Sequence, residues 1–476
     1  MQVTNFWFGD PTSENFRLLI EPTSLYPWQS TTEHPKVRTD SNGNIFHFAI
    51  TANDYSGTIR NTVSLSKYDK KGNLLWSKHN KPVTDDTYTI ATANHELEVD
   101  SSGNSYVISR INGPTNAGFL QSFDTNGSVR FTRQYGSGSW YPHGSDASGD
   151  NIFAVGHPNS NYTGWIQKFN TTDGSSDTAR AVNSGASNQQ PYDCCIIPTG
   201  VQPAVKFSGA YNPGPNTPAT GYQGIAVYNT AVTSRTSYTQ NYNGSYSNIN
   251  YHYNIQGAGS SVYFVNTQAS GTQRAFVKCA SSNFSIESNV AITNSNSSSR
   301  WVTGGVDPMP SSNTVLDRST EIYYVALRES ATEIKLLAYD FSSESIVWQK
   351  SFTGNTNGNS DGTQNKNGMS ATDSVHLAIN GDHLVMGFRS NDHMKGVNEA
   401  HIICQFPKDM SSITGDWGGF TWADITEFSA GGSNSGSFSV ASSFGPGTGT
   451  GNATSALNIS TENYVAPNYP ITSKYL

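Results

Sequence analysis

The sequence predicts an all-β fold, assembled from about seven copies of one short unit. Three observations predict it. Charged residues are only 13% of the chain, about half the usual share of roughly 25%. Ser, Thr, Asn and Gly fill the gap and aromatics reach 12%, which suits short strands and tight turns and is unlike the aromatic-poor composition of disordered chains. The second observation is local. "DSNGNIFHFAI" from Asp40 is a turn followed by an alternating strand, and "TVSLSKYDKKGNLLWSKH" is a strand, an Asp-x-x-Gly turn and a second strand. The third is that this unit returns along the chain.

Each part of the first copy has a physical role. Gly72 takes the positive φ that the tight loop needs. Asp69 bonds its carboxylate to the amides that follow it. Trp76 then presents a large apolar face to a neighbour. The second copy runs from "VDSSGNSYVISRI", where Asp124, Gly127 and Phe131 match Asp69, Gly72 and Trp76. A third starts at "SDASGDNIFAVGH", and a fourth and fifth, around "CCIIPTGVQPAVKF" and "GAGSSVYFVNTQ", keep little of the motif. The sixth restores it, with Asp340 and Trp348 in place, and the seventh is "LAINGDHLVMGFRS" with "AHIICQFPKDM". Copies of three or four strands at spacings of roughly 45–65 residues are the sign of a β-propeller, in which each sheet covers the faces its neighbour cannot bury alone. The expected fold is therefore a propeller of seven blades of four antiparallel strands, with a Gly/Ser-rich C-terminal β arm.

The expected organisation has three parts. Residues 1–35 supply N-terminal strands that close the ring, 36–425 form the propeller, and 426–476 form the arm. The arm contains "GGSNSGSFSVASSFGPGTGTGNATS", nearly free of charge, and ordering it costs entropy unless something holds it. Another subunit is the expected holder.

Composition also excludes classes. Net charge is −8 with no basic run, so no counterion-displacing groove for nucleic acid is expected. No stretch reaches the apolar length a membrane helix needs. The opening "MQVTNFWFGDPTSENF" lacks a basic and then apolar leader, so any exit from a cell is expected by another route, such as lysis. The four cysteines, Cys194, Cys195, Cys279 and Cys404, form no CxxC and no zinc spacing.

Asp40, Gly43 and Asn44 with Lys67, Asp69, Gly72 and Trp76 resemble the SBBP-type bacterial β-propeller repeat, as do Asp100, Gly103, Asn104 and Tyr106 with Asp124 and Gly127. The resemblance spans most of residues 36–422. In composition and in its Gly/Ser-rich tail the chain is also similar to virion structural proteins of marine tailed phages. That likeness implies a non-enzymatic structural or adhesive virion component, in a tail nozzle, fibre or capsid decoration. It would be a symmetric homo-oligomer that contacts other virion proteins and host glycans and takes no cofactor. The rival reading is a lectin or glycan-degrading propeller enzyme, secreted or released by lysis.

Cys194-Cys195 next to tryptophan-bearing strands is similar to quinoprotein dehydrogenases, but those have eight blades and a leader. Two adjacent strand residues is the plainer reading. Asp40, Asn42 and Asn44 have the first spacings of a calcium loop, yet such a loop wants Gly sixth and Glu twelfth, and here Gly43 is fourth and Thr51 is twelfth, so a hairpin turn is the plainer reading. The sialidase Asp-box spacing differs by one from Asp69-x-x-Gly72, and no arginine cluster accompanies it. No HExxH or G-x-S-x-G occurs. His383, His393 and His401 with Asp382, Asp392 and Glu399 could meet at a metal, but the expectation is ordinary strand residues and no metal. The one binding candidate is "YTQNYNGSYSNINYHYN", with Tyr238, Tyr242, Tyr246, Tyr251 and Tyr253 among Asn and Ser. Such loops adapt to partners and stack on sugars, while packing between blades is the plainer alternative.

Overall fold

A computed structural model describes residues 15–21, 35–55, 58–81, 89–90, 95–112, 116–135, 140–158, 164–181, 189–211, 220–242, 255–267, 273–295, 314–330, 333–354, 375–390, 400–417, 420–433, 454–456, 460–463 and 472–475. These residues form seven antiparallel sheets and no helix. The sheets are the blades of a propeller. Blade I is built from Lys36–Thr39, Ile45–Tyr55, Thr58–Tyr68 and Leu74–Lys81. Blades II to VI follow in chain order to Ser345–Gly354. Blade VII combines His376–Asn380, His383–Ser390 and Ala400–Pro407 with the N-terminal strand Phe16–Glu21, which pairs antiparallel to Ala400–Pro407. Chain start and last blade thus share one sheet, so opening the ring would break a sheet and not only a packing surface.

The repeated turn is held by its own aspartate. In blade I the Asp69 carboxylate accepts the Lys71 and Asn73 amides at 2.8 Å, and in blade II Asp124 accepts Asn126 and Ser128. Gly72 and Gly127 take φ near +80° there. Asp40 does the same at the inner turn, accepting from Asn42, Asn44 and the Asn44 side chain, and it also meets Lys67 at 3.2 Å. That carboxylate is engaged by a hairpin turn and a lysine, not shaped as a calcium ligand.

Blades IV to VI keep the outer turn where the glycine is gone. Val232, Phe284 and Glu344 occupy the positive-φ position with φ of 55°, 55° and 52°. A branched or bulky residue is strained there. Val232 and Phe284 are buried in the apolar clusters between blades, which offsets the strain. The geometry of the repeat therefore persists where its sequence signature is lost.

Apolar clusters fill the spaces between neighbouring blades. Blade I packs on II through Phe46, Leu65, Val107 and Phe119. Successive strand residues point to opposite faces, so Cys194 enters the cluster shared with blade III, with Phe153 and Ile166, while Cys195 enters the one shared with blade V, with Val262 and Cys279. The vicinal pair is two free, buried thiols facing apart.

The chain after blade VII runs back around the outside of the ring. Phe420–Asp424 adds a strand to the outer edge of blade VI and Phe428–Ser433 to that of blade V. Thr454–Ala456 then adds to blade II, Ser460–Asn463 to blade I and Thr472–Tyr475 to the Phe16–Glu21 edge of blade VII. The described strands of this segment add, in chain order, to blades VI, V, II, I and VII. The described parts of the arm are thus paired with this chain's own blades, and five blades have their outer edge strand covered. An uncovered edge is a template for unwanted pairing. Among the described residues the outer strands of blades III and IV, Ser176–Ala181 and Arg235–Tyr242, carry no such strand.

Side chains fasten the belt at blade VI. Gln349 donates to the Phe428 carbonyl and accepts the Phe428 amide, both at 2.9 Å. Buried Lys350 meets Asp424 at 2.5 Å and buried Lys335 meets Glu427 at 2.6 Å. Phe420 stacks on Phe352 with centroids 4.6 Å apart, and Trp422 packs tilted against the same ring at 4.4 Å.

Candidate functional site: a charged ladder on the propeller axis

The seven innermost strands stand side by side around the axis. In blade I, Val37 turns toward blade VII and packs with Ile45 and Val385. Alternation therefore sends Lys36 and Arg38 the other way, to blade II. Lys36 Nζ lies 3.2 Å from Glu96 Oε1. Arg38 makes a fork on Glu98, with Nη2 3.1 Å from Oε1 and Nε 3.4 Å from Oε2. The Ser145 hydroxyl of blade III donates to the same Oε1 at 2.8 Å. On the other side, His376 Nδ1 accepts the Val37 amide at 3.3 Å and its Nε2 lies 3.1 Å from Arg38 Nη1.

The next carboxylates hold backbone. Asp146 of blade III accepts the Ile196 amide of blade IV at 2.7 Å, and Asp193 of blade IV accepts the Ile255 amide of blade V at 3.0 Å. The strands come so close here that glycine is required. A Cβ on Gly144 would stand 2.5 Å from the Asp193 carboxylate, and one on Gly257 would stand 2.3 Å from the Ile196 carbonyl oxygen. Arg318, from the inner turn of blade VI, reaches Asp146 at 3.4 Å and is the most exposed member of the set.

Burial sets the electrostatics. It pushes the Glu98 carboxyl up to about 7, against the pull of Arg38 and with the help of Asp146. It also pushes the Asp193 carboxyl well above the usual carboxylate range. Chemically, the ladder ties blades I, II, III, VI and VII together through ionic hydrogen bonds of the stronger kind. Where it opens toward Arg318, guanidinium and carboxylate stand together, a donor and acceptor set suited to a polyhydroxylated or charged ligand.

The tyrosine candidates fall elsewhere. Tyr238 and Tyr242 lie on the outer strand of blade IV, in register with Ala226 and Tyr222. Tyr246, Tyr251 and Tyr253 lie outside the described residues. His383 opens a strand of blade VII, and His401 is buried in the next strand, 3.0 Å from His47. Asp392, His393 and Glu399 lie outside the described residues. Among the described residues no three His, Cys, Asp or Glu gather as a metal site would need.

The ladder was missed from sequence, yet a signal was present. "KVRTD" and "ELEVD" occupy the same place in the first two copies, with opposite charges 60 residues apart at 36/96 and 38/98. Aligned copies with complementary charges at matching positions point to contact between neighbouring blades.

No protein-family model matches the chain, and no curated protein matches it. The SBBP likeness thus remains one of motif. Among solved structures it is similar to the β-propeller domain of the Trilobed protease from Pyrococcus furiosus, at 7% identity and a TM-score of 0.42, over 79% of this chain and 96% of that one. It is similar to an α-L-arabinofuranosidase of Fusarium graminearum at 8% identity and TM-score 0.42, over 85% and 99%. It is also similar to a subtype N10 neuraminidase-like protein of A/little yellow-shouldered bat/Guatemala at 10% identity and TM-score 0.39, over 69% and 98%. No residue role transfers at such distances.

Proposed function

We propose that this propeller is a non-catalytic structural and adhesive protein that serves in a tailed phage particle. The observation that carries the structural half is the C-terminal belt, which closes five blade edges of the same chain. A disc built this way resists opening and edge-to-edge aggregation, as a part repeated in an assembly must. The engagement of Glu98 by Arg38 and Ser145 also favours a holding role for the axial charges. The particle itself rests on the resemblance in motif, composition and tail described above. Weak surface contacts, for instance at the tyrosine-bearing edge of blade IV, would gain strength from many copies. Peptide mass spectrometry on purified particles tests this reading, with stoichiometric abundance expected. Absence from particles, with peptides in the medium or cytosol, would remove it.

The second reading is a glycan-acting propeller, favoured by one observation. Burial lifts the Glu98 carboxyl to about 7 beside Asp146, which the exposed Arg318 reaches, and acid–base catalysis needs such a group. Turnover of a polysaccharide panel, abolished by Glu98→Gln, would establish it in place of the first.

A further inference from the structure

Buried cations in this ring have partners. Lys36, Lys67, Lys335 and Lys350 each meet a carboxylate, and Lys206 donates to the Val265 carbonyl at 2.8 Å. Arg274, 3% exposed, is built differently. Its Nε is enclosed with no hydrogen-bond acceptor. Burial alone acts on its charge, drawing the guanidinium down to about 10, with no carboxylate pulling the other way. A buried charge without a partner is strongly destabilising, so an arginine kept in this state is poised to receive an anion.

The surroundings favour that. Arg274 is the second residue of Gln273–Ala280 in blade V, in register with Ile292 and Thr267. Phe276, two positions on and hence on the same face, packs edge-on against Tyr323 and Tyr339 of blade VI. Arg274 thus lies on the side of blade V that faces blade VI, at the end of the sheet away from the Ala280–Ser285 turn. Val265, Ile292, Val325 and Leu327, all buried, pack on that side. In such weakly polar surroundings one ionic hydrogen bond is worth far more than in water.

We propose that Arg274 anchors an oxyanion site at the interface between blades V and VI, which takes the carboxylate, phosphate or sulfate group of a ligand. The planar guanidinium fork suits these groups.

The test is a thermal melt of the full chain in chloride and, at equal ionic strength, in acetate, inorganic phosphate or sulfate. The expected result is that at least one oxyanion raises the wild-type Tm above the chloride value by about 2 °C or more. Which of the three does so identifies the class. Sulfate and phosphate stabilise folded proteins generally, so the wild-type rise must exceed that of Arg274→Met, which removes the fork, and the excess must shrink in Arg274→Lys. Arg274→Met in chloride should also melt no lower than the wild type, because it removes an uncompensated charge. No oxyanion-specific rise in the wild type overturns the proposal, even if no variant folds. An equal rise in wild type and Arg274→Met overturns it too, as does a chloride Tm several degrees lower for a folded Arg274→Met.

Discussion

Trp76 of blade I donates its indole N–H to the carbonyl oxygen of Thr125 in blade II, at 3.0 Å. Trp348 of blade VI repeats the contact on Lys408 of blade VII, at 2.9 Å. The bulky residue after each of these turns is therefore a tie to the next blade, as well as apolar filler. The receiving turn is shaped to it: a Cβ on Gly127 would come within 2.8 Å of the Trp76 ring, and one on Gly174 within 2.4 Å of the Phe131 ring.

Removing the tie should weaken the ring in two steps. Trp76→Phe keeps most of the ring but loses the N–H, and should cost about 1 kcal/mol. Trp76→Ala should cost about 3 kcal/mol or more. Denaturant melts check both, and equal costs for the two variants would show the hydrogen bond to be the whole effect.

Gly127→Ala brings a Cβ both into a left-handed backbone, at φ +78°, and against the Trp76 ring. The expected loss is about 2 kcal/mol. Gly149 also has positive φ, but its Cβ would meet nothing within 4 Å, so Gly149→Ala should cost about half as much. A pair of equal losses would mean the contact with Trp76 contributes nothing.

Glu344 stands at the same turn position in blade VI with φ 52° and its side chain in solvent. No burial offsets its strain. Glu344→Gly should therefore raise stability by about 1 kcal/mol, while Phe284→Gly, which loses a buried ring, should lower it. A fall in Tm for Glu344→Gly would contradict the reading of this turn.

Acid should unfold the protein partly through His47, which is buried against His401 and held neutral down to about 3 by desolvation. The unfolded chain takes up that proton from about 6.5. A histidine with a depressed folded pKa leaves stability intact above 6.5 and removes it as pH falls. Glu98, raised to about 7, acts with the opposite sign as pH falls from there, so the clean readout is a difference. The stability gap between wild type and His47→Asn should narrow by about 1.4 kcal/mol per pH unit below 6.5. Urea melts at pH 7, 6 and 5 check this, and a constant gap would refute it.

Truncation after Ser433 removes the strands that cover blades I, II and VII. Amide exchange in Leu74–Lys81, which pairs with Ser460–Asn463, should accelerate, and the truncated chain should associate through its bared edges. Gln349→Ala should loosen the Phe428–Ser433 strand alone. Unchanged exchange in Leu74–Lys81 after truncation would mean the belt does not hold in solution.

The repeat is legible in short stretches of residues: the Asp-x-x-Gly turns at Asp69 and Asp124, the large residue at Trp76 and Trp348, and seven copies of alternating strands. These are local features, written in a few adjacent residues by turn chemistry and the two-residue period of a strand. Only the tertiary structure decided the rest. Arg38 finds Glu98 across 60 residues, and Val232 and Phe284 keep a strained turn because distant blades bury them. The Gly/Ser-rich arm could not show from its composition what it pairs with, because strand pairing is made by backbone groups that every residue carries. Whether Arg274 has a partner is likewise a question of what closes around it, and that depends on two blades meeting.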